Sequence, residues 1–252
     1  MSQNKRGAIS EIYRINNALK HSIASERLRG LKPSKFAEFR DERLKWVSPS
    51  SVRRELVILR HCVSLAINEW DIPLKENPIL RLNIPQECRQ RQRRLNSEEL
   101  EYLMSNCKHT VLKLCIQLAV ETAMRRGELL NVRWQDIDLQ RGLLHIPTTK
   151  TGSSRTIPLT PKASELLGGL DMDSSKVIPL SANALRLAWE RLCRRCGVID
   201  LRFHDLRHEA VSRFFEMGLS MAEVQLISGH RDVRMLMRYT HLKPEAVRDK
   251  LF

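Results

Sequence analysis

The chain has 252 residues, 42% of them hydrophobic, which is enough for one large domain or two modest ones with a buried core. Its formal net charge of +14 indicates a polyanionic partner, most often nucleic acid. No apolar run approaches the ~18 residues of a membrane span, and the start has no apolar signal-peptide core. We therefore expect no membrane association and a cytoplasmic protein, whose six scattered cysteines stay reduced.

Residues 1–83 are predicted to form a small helical module. The stretch "SPSSVRRELVILRHCVSLAINEW" predicts a helix with Ser48 as its N-cap and Pro49 at its first position. Upstream, "PSKFAEFRDERLKWV" predicts a shorter amphipathic helix. Apolar residues that recur at helical spacing predict the buried face of the longer helix: Val52, Leu56, Leu59, Val63, Ile67 and Trp70.

Basic side chains are concentrated in the front of the chain. Residues 1–95 carry 20 of the 43 basic residues but only 10 of the 29 acidic ones, so +10 of the net charge lies there. This excess favours a DNA-holding module over a merely solvated bundle, with Arg53 and Arg54 as candidate DNA contacts.

Residues 84–95 are predicted to be a basic interdomain linker, because Pro85 is present and no helical apolar period runs through them. The linker arginines either follow a phosphate backbone or only keep the linker solvated and extended. They are Arg89, Arg91, Arg93 and Arg94.

Residues 96–252 are predicted to form a second domain, opened by a capping box of Asn96 and Glu99. The fold class expected for the whole chain is mainly α with a small antiparallel β-sheet, because one region, "DIDLQRGLLHIPTTKTGSSRTIPLT", predicts a hairpin. Helices are predicted on both sides of it, at "SEELEYLMSN", "TVLKLCIQLAVETAM", "RGELLNVRW", "NALRLAWERLCRRC", "FHDLRHEAVSRFFEMG", "SMAEVQLIS", "VRMLMRYTH" and "PEAVRDKLF".

No metal or other cofactor is predicted. Cys193 and Cys196 form a C-x-x-C inside a predicted helix, without a second pair or a suitably spaced histidine. His204 and His208 stand four apart, as a metal pair does, but Glu209 follows His208 directly, so no H-E-x-x-H is present. His208 is expected to pack or to bond locally instead.

Tyr239, one of only three tyrosines, lies in the basic stretch "SGHRDVRMLMRYTH". Tyrosine packs well in a core, but it is also a nucleophile that forms covalent intermediates. Cutting DNA through a tyrosine requires arginines to stabilise the phosphate, an acid for the departing sugar oxygen and a histidine for the phenolic proton or the phosphate. The chain offers these groups in the order Arg125, Lys150, His204, Arg207 and His230.

Four of these stretches, in order, resemble the boxes of the tyrosine recombinase (phage integrase) family. They are "ETAMRRGELLNVRWQDID", "TKTGSSRTIPL", "HDLRHEAVSRFFE" and "LISGHRDVRMLMRYTH". The helical stretch from Ser48 resembles the core-binding domain of bacterial and phage members, and "FHDLRHEAVSRFFE" is most similar to shufflon-type invertases and island integrases. The resemblance therefore implies a helical core-binding domain followed by an α+β catalytic domain.

The resemblance also implies a role for each matching residue. Tyr239 forms a 3′-phosphotyrosyl link, and Arg125 and Arg207 brace the phosphate. Lys150 is the acid for the 5′-oxygen, His204 is an acid or base near the nucleophile, and His230 hydrogen-bonds the phosphate. Glu128 supports the site. Members act without metal or ATP, as tetramers on pairs of specific double-stranded DNA sites.

Other readings of individual residues are less favoured. Arg126 adjoins Arg125, but the register Met-Arg-x-x-Glu selects Arg125, and Arg126 is expected on a helix surface. His241 is left out of the catalytic set. Trp134 and Phe214 are expected in the core.

The chain departs from the family pattern in three places. Ala123 replaces a frequent glycine and Ser228 a frequent leucine, and neither change is expected to touch the chemistry. The core-binding domain also looks short at its N-terminus, without room for an arm-binding domain.

Two alternatives to an active recombinase remain open. A type IB topoisomerase shares the phosphotyrosine chemistry but relaxes supercoils as a monomer on many sequences. A truncated relative that binds DNA without recombining it is the other alternative, and the intact set of six residues argues against it.

Overall fold

The computed structural model describes residues 7–86, 93–147, 154–171 and 175–240. By its internal contacts the chain divides into two units, Met1–Arg91 and Gln92–Phe252. The division falls within the stretch predicted as a linker. No helix among the described residues is long and apolar enough to cross a membrane.

In its described part, residues 7–86, the first unit contains three α-helices: α1 (Ala8–Leu19), α2 (Pro33–Leu44) and α3 (Pro49–Glu69). Short 3₁₀ turns lie at Ser22–Ser25, Leu28–Gly30 and Pro78–Arg81. Its core joins apolar residues of α2, α3 and the 3₁₀ turns, among them Phe36, Phe39, Val52, Leu56, Val63 and Ile79.

Helix α3 begins as its sequence predicts, with Ser48 as N-cap and Pro49 at the first position. The prediction that Trp70 belongs to the buried face is wrong, because the helix ends at Glu69 and the Trp70 side chain is exposed. Conversely, Glu55 is buried, and it accepts two hydrogen bonds from the Arg43 guanidinium, at 2.8 and 2.9 Å. The buried face of α3 therefore includes a charged residue, satisfied by its ion pair, that the apolar periodicity does not predict.

The described residues of the second unit are mainly helical with a small antiparallel sheet, so the predicted fold class is confirmed. Three antiparallel strands lie in the order β1-β2-β3, namely β1 (Ile137–Asp138), β2 (Leu143–Ile146) and β3 (Arg155–Pro158). In register, Leu144 of β2 lies opposite Ile157 of β3, and both side chains are buried. The helices are α4 (Ser97–Asn106), α5 (Thr110–Thr122), α6 (Arg126–Leu129), α7 (Pro161–Gly168), α8 (Ala182–Arg195), α9 (Asp205–Glu216) and α10 (Met221–Ser228).

Two parts of this unit differ from the prediction, and a third prediction is not tested. Helix α7 was not predicted, although Thr160 caps it and Pro161 begins it. The stretch "VRMLMRYTH" forms two 3₁₀ turns, Val233–Met235 and Met237–Tyr239, instead of an α-helix. The predicted helix "PEAVRDKLF" lies outside the described residues.

The predicted capping box at α4 is only half formed. The Asn96 side chain accepts a hydrogen bond from the Glu99 N–H at 2.7 Å, but the Glu99 carboxylate binds Arg93. The charge of Arg93 attracts the carboxylate more strongly than a backbone N–H does.

Two clusters of apolar side chains hold the second unit together. The larger cluster joins α4, α5, α8 and the sheet. The smaller one contains Ala123, Ala210, Val211, Phe214, Val224, Ile227, Leu236 and Tyr239. Phe214 is buried as predicted, and Trp134 is partly buried against the larger cluster. The smaller cluster brings α9, α10 and the turn that carries Tyr239 to one place.

Candidate active site

Tyr239 lies in the 3₁₀ turn Met237–Tyr239 and is buried, with 9% of its surface exposed. Its Oη is in hydrogen-bond contact with Nδ1 of His208 on α9. The Arg238 guanidinium lies 4.8 Å from the centre of the Tyr239 ring. Burial raises the pKa of the Tyr239 phenol above its usual value, although the charges of Arg238 and Arg207 act against that rise.

Arg207 is the most buried cation of the site, with 3% of its surface exposed. Its Nη1 donates to the carbonyl oxygen of Ala123, and its Nη2 donates to that of Ser228 at 2.8 Å. Burial, followed by the nearby Arg125 charge, lowers the pKa of Arg207 to about 10. The guanidinium therefore remains charged at neutral pH and is fixed by two backbone oxygens.

Arg125 is held by Glu128, which lies three residues further along the chain. Arg125 Nη1 donates to Glu128 Oε1 at 2.8 Å, and the Arg125 backbone N–H donates to Oε2 at 3.0 Å. A third hydrogen bond joins Arg125 Nη2 to the carbonyl oxygen of Gly229 at 2.9 Å. Its neighbour Arg126 is exposed. Arg125 therefore lies in the site with Glu128 and Gly229, whereas Arg126 lies on the surface as expected.

Arg155, at the start of β3, is the second cation bound to Glu128. Its Nη2 and Nη1 donate to the two carboxylate oxygens at 2.8 and 3.2 Å, and its Nε donates to the carbonyl oxygen of Ile227 at 3.1 Å. Burial alone would raise the pKa of Glu128, but the hydrogen bonds from Arg155 and Arg125 lower it to about 2. The Glu128 carboxylate is therefore ionised and joins the two arginines.

Two observations favour glycine at position 229. It ends α10 in the left-handed region, at φ +65°. A Cβ added there would lie 2.8 Å from Cζ of Arg155, closer than non-bonded atoms approach. The glycine of the "SGHRD" stretch thus gives Arg155 access to Glu128.

His230 directly follows that glycine and contacts Arg207. Its Nε2 lies 3.3 Å from Arg207 Nη2, and its Nδ1 lies 2.7 Å from the Ser228 hydroxyl. Because arginine can only donate, Nε2 accepts and Nδ1 carries the proton that it donates to Ser228. Burial and the charges of Arg207 and Arg125 lower the pKa of His230 to about 3, so the ring is neutral at pH 7.

Of the two departures from the family pattern, only Ser228 brings a side-chain contact into the site, because its hydroxyl fixes the His230 ring. Ala123 and Ser228 both hold Arg207 through backbone oxygens, which the more frequent residues would also offer. Ala123 also adopts a left-handed conformation, at φ 50°, which is one that glycine takes at lower cost.

His204 precedes α9 and lies beside His208, with 4.9 Å between the two ring centres. Burial and the Arg207 charge lower the pKa of His204 below its usual value. His204, Arg125 and Glu128 also line an open cavity of about 870 Å³ that continues to Arg186 and Arg202.

The structure thus brings together five of the six residues predicted as catalytic, namely Arg125, His204, Arg207, His230 and Tyr239. Lys150 lies outside the described residues, as does His241. Sequence reasoning missed Arg155, and it expected His208 to pack or to bond locally without foreseeing its hydrogen bond to Tyr239. Their sequence signals were an arginine beside the predicted hairpin turn and a histidine one turn after His204.

Two of the predicted linker arginines are engaged in ion pairs. Arg93 pairs with Glu99, while Arg94 reaches Glu209 at 2.9 Å and Glu216 at 2.7 Å. These contacts favour a structural role over the predicted contact with a DNA backbone. Arg89 and Arg91 lie outside the described residues.

Arg53 and Arg54 line a groove in the first unit. The groove has a volume of about 710 Å³, and its walls also include Arg14, Arg60 and His61.

In the second unit, Cys193 is buried. Across the described ranges, no group of three or more His, Cys, Asp or Glu side chains is arranged to hold a metal ion.

Comparison with known proteins identifies the relatives of this chain. The family model described as "Phage integrase family" matches residues 93–246. A shufflon-specific DNA recombinase of Escherichia coli is 38% identical, over 100% of this chain and 68% of that protein. A putative integrase/recombinase of Haemophilus influenzae is 32% identical, over 96% of this chain and 69% of that protein.

Solved structures share the fold. A lambda integrase dimer bound to a COC′ core site has a TM-score of 0.80 and 22% identity, covering 94% of this chain and 71% of that one. A lambda integrase tetramer bound to a Holliday junction has a TM-score of 0.77 and 22% identity, covering 94% and 72%. The likeness in fold therefore extends over almost the whole chain, beyond the second unit.

Proposed function

Because this chain belongs to the phage integrase family and is a tyrosine recombinase that cuts and rejoins DNA, we propose that Tyr239 is its nucleophile. The observation that supports this most directly is the burial of Tyr239 against His208, in the same cluster as Arg207. A phenol beside imidazole and guanidinium groups suits attack on a phosphodiester.

Arg125 and Arg207 are proposed to bind the nonbridging oxygens of the scissile phosphate. Each guanidinium is oriented before DNA arrives, since backbone carbonyls hold both. The contacts described for Arg207 use its Nη1 and Nη2, so its Nε–H and a second Nη1–H can bind an anion. Preoriented donors stabilise charge that develops in the transition state without reorganising.

The proton transfers are assigned to the remaining predicted residues. Lys150 is proposed to protonate the departing 5′-oxygen, and His204 to act as an acid or base. His230 is proposed to hydrogen-bond the phosphate, which requires its ring proton to move from Nδ1 to Nε2 when DNA binds. The Tyr239 link conserves the energy of the phosphodiester bond. Rejoining to a new strand therefore needs no ATP, and no metal or other cofactor is assigned.

The proposed partner is double-stranded DNA that carries specific recombination sites, bound by four copies of the chain on two sites. Support comes from the lambda integrase structures, one a dimer on a core site and one a tetramer on a Holliday junction. The similarity to a shufflon-specific recombinase favours this function over a type IB topoisomerase or an inactive relative. We place the protein in the cytoplasm, where its DNA lies and where cysteines such as Cys62 and Cys115 stay unpaired.

The groove that contains Arg53 and Arg54 is proposed to bind the phosphate backbone. Replacing Arg54 by Ala should weaken binding to all DNA sequences. The slope of the logarithm of the association constant against the logarithm of the salt concentration should become shallower by about 1, because about one fewer counterion is released. A salt titration of DNA affinity measures this slope. An unchanged slope would remove Arg54 from the interface.

The nucleophile proposal is tested by trapping. Nicked synthetic duplexes tiled across the DNA that flanks the coding sequence are incubated with the protein in EDTA. One duplex should yield a covalent protein–DNA adduct that survives denaturation. An adduct that forms only after Mg²⁺ is added would contradict the proposed chemistry.

A further inference from the structure

The contact between His208 and Tyr239 links a histidine without an assigned role to the proposed nucleophile. Nδ1 of His208 meets Oη of Tyr239, and the two rings lie 27° from parallel with centres 5.7 Å apart. We propose that His208 is a further catalytic residue, which accepts the phenolic proton as Tyr239 attacks phosphorus. This inference rests on the proposed role of Tyr239.

The direction of this hydrogen bond follows from a third residue. Nη2 of Arg238 lies 3.4 Å from the same Nδ1 of His208. A guanidinium can only donate, so Nδ1 presents its lone pair and the ring proton lies on Nε2. The Tyr239 hydroxyl is then the donor, and its proton already points to the nitrogen that would receive it.

The charges around His208 keep it ready to accept that proton. His204, Arg238, Asp205 and Arg207 face its ring, and burial together with His204 and Arg238 lowers its pKa to about 4. The ring is therefore neutral at pH 7. A phosphate bound beside it would favour the imidazolium and raise its basicity when the proton moves.

Tyr239 needs such a base, since burial raises the pKa of its phenol and leaves it protonated at neutral pH. As the Oη–phosphorus bond forms, the O–H bond breaks and the proton passes to Nδ1 of His208. The phosphorus–O5′ bond breaks with its electron pair on O5′, which takes a proton from the acid assigned to Lys150. In rejoining, the 5′-hydroxyl attacks phosphorus and returns its proton to the neutral Lys150 amine. The phosphorus–Oη bond breaks with its electron pair on Oη, and the His208 imidazolium protonates the released phenolate.

The test compares His208→Asn with His208→Ala in single-turnover cleavage across the neutral pH range. The substrate is the nicked duplex that yields the covalent adduct with the unmodified protein. Asparagine keeps a hydrogen-bonding atom near the Nδ1 position but is not a base. We expect both variants to be slower by about 10²- to 10⁴-fold, with rates that rise about tenfold per pH unit as the phenol ionises, whereas the unmodified protein shows a much weaker dependence. Added imidazole should partly restore His208→Ala but not His208→Asn.

Three results would overturn the inference. A His208→Asn variant with the rate and pH profile of the unmodified protein would mean that His208 only positions the ring. Faster cleavage by either variant would mean that the contact restrains Tyr239. In the unmodified protein labelled with ¹⁵N-histidine, an Nδ1 signal of a protonated nitrogen at neutral pH would exclude the acceptor role, and this measurement does not depend on whether a variant folds.

The same experiments separate this inference from the proposed function. If Tyr239→Phe forms no adduct and His208→Asn cleaves normally, only the role of His208 fails. If Tyr239→Phe still forms the adduct, the assignment of the nucleophile fails as well.

Discussion

Replacing Tyr239 by Phe is expected to reduce covalent adduct formation below detection while DNA binding is retained. The ring keeps its place in the apolar cluster, so only the hydroxyl and its hydrogen bond to His208 are lost. The stability change should stay near ~1 kcal/mol, the usual contribution of one hydrogen bond. Trapping on a nicked duplex and a gel-shift assay measure the two properties separately.

Tyr102→Phe is the matched control, because Tyr102 lies on α4 with 52% of its surface exposed and outside the site. It should form the adduct at the unmodified rate. If Tyr102→Phe loses the adduct and Tyr239→Phe keeps it, the nucleophile is misassigned.

Replacing Glu128 by Ala is expected to lower the free energy of unfolding by about 3–5 kcal/mol, the usual cost of removing one partner of a buried ion pair. The Glu128 and Arg155 side chains are 8% and 12% exposed, so the change leaves a buried guanidinium without its carboxylate. It also releases Arg125, so cleavage should fall. Denaturant unfolding measures the first effect and adduct formation the second.

Glu190→Ala provides the comparison for Glu128→Ala. Glu190 pairs with Arg186 on the surface of α8, where both side chains are about half exposed. Such a pair contributes up to about 1 kcal/mol. Equal losses in the two variants would contradict the supporting role given to Glu128.

The same carboxylate predicts how stability depends on pH. Its pKa is about 2 in the fold against a usual 4.5, so the folded state favours the ionised form. The resulting stabilisation, about 3 kcal/mol, is complete above pH 4.5 and is lost as the pH falls toward 2. In Glu128→Gln, the unfolding free energy should vary less over that range.

Features that depend on a few neighbouring residues could be predicted from the sequence. Ser48 and Pro49 begin α3 as expected, because a cap and a first-turn proline act within one turn. The register Met-Arg-x-x-Glu selects Arg125 over Arg126, since only the first residue faces the Glu128 carboxylate. The order of motifs also predicted which side chains share the site.

Features that depend on distant partners could not be predicted in this way. Glu99 should complete a capping box by its spacing, yet the charge of Arg93 attracts it more strongly. His208 contacts Tyr239 because α9 packs beside the last 3₁₀ turn, 31 residues further along the chain. The Arg155 guanidinium lies where a side chain at position 229 would meet it, so glycine suits that position. These contacts follow from tertiary packing. Helical and strand periodicity predicts the buried face of an element but not which distant residues it contacts.

The most direct test of the central claim is to identify the amino acid that carries the DNA. The trapped adduct is digested with nuclease and protease, and the nucleotide-bearing peptide is sequenced by mass spectrometry. We predict a phosphotyrosyl nucleotide on Tyr239. A nucleotide on Tyr13, Tyr102 or a serine would contradict the account.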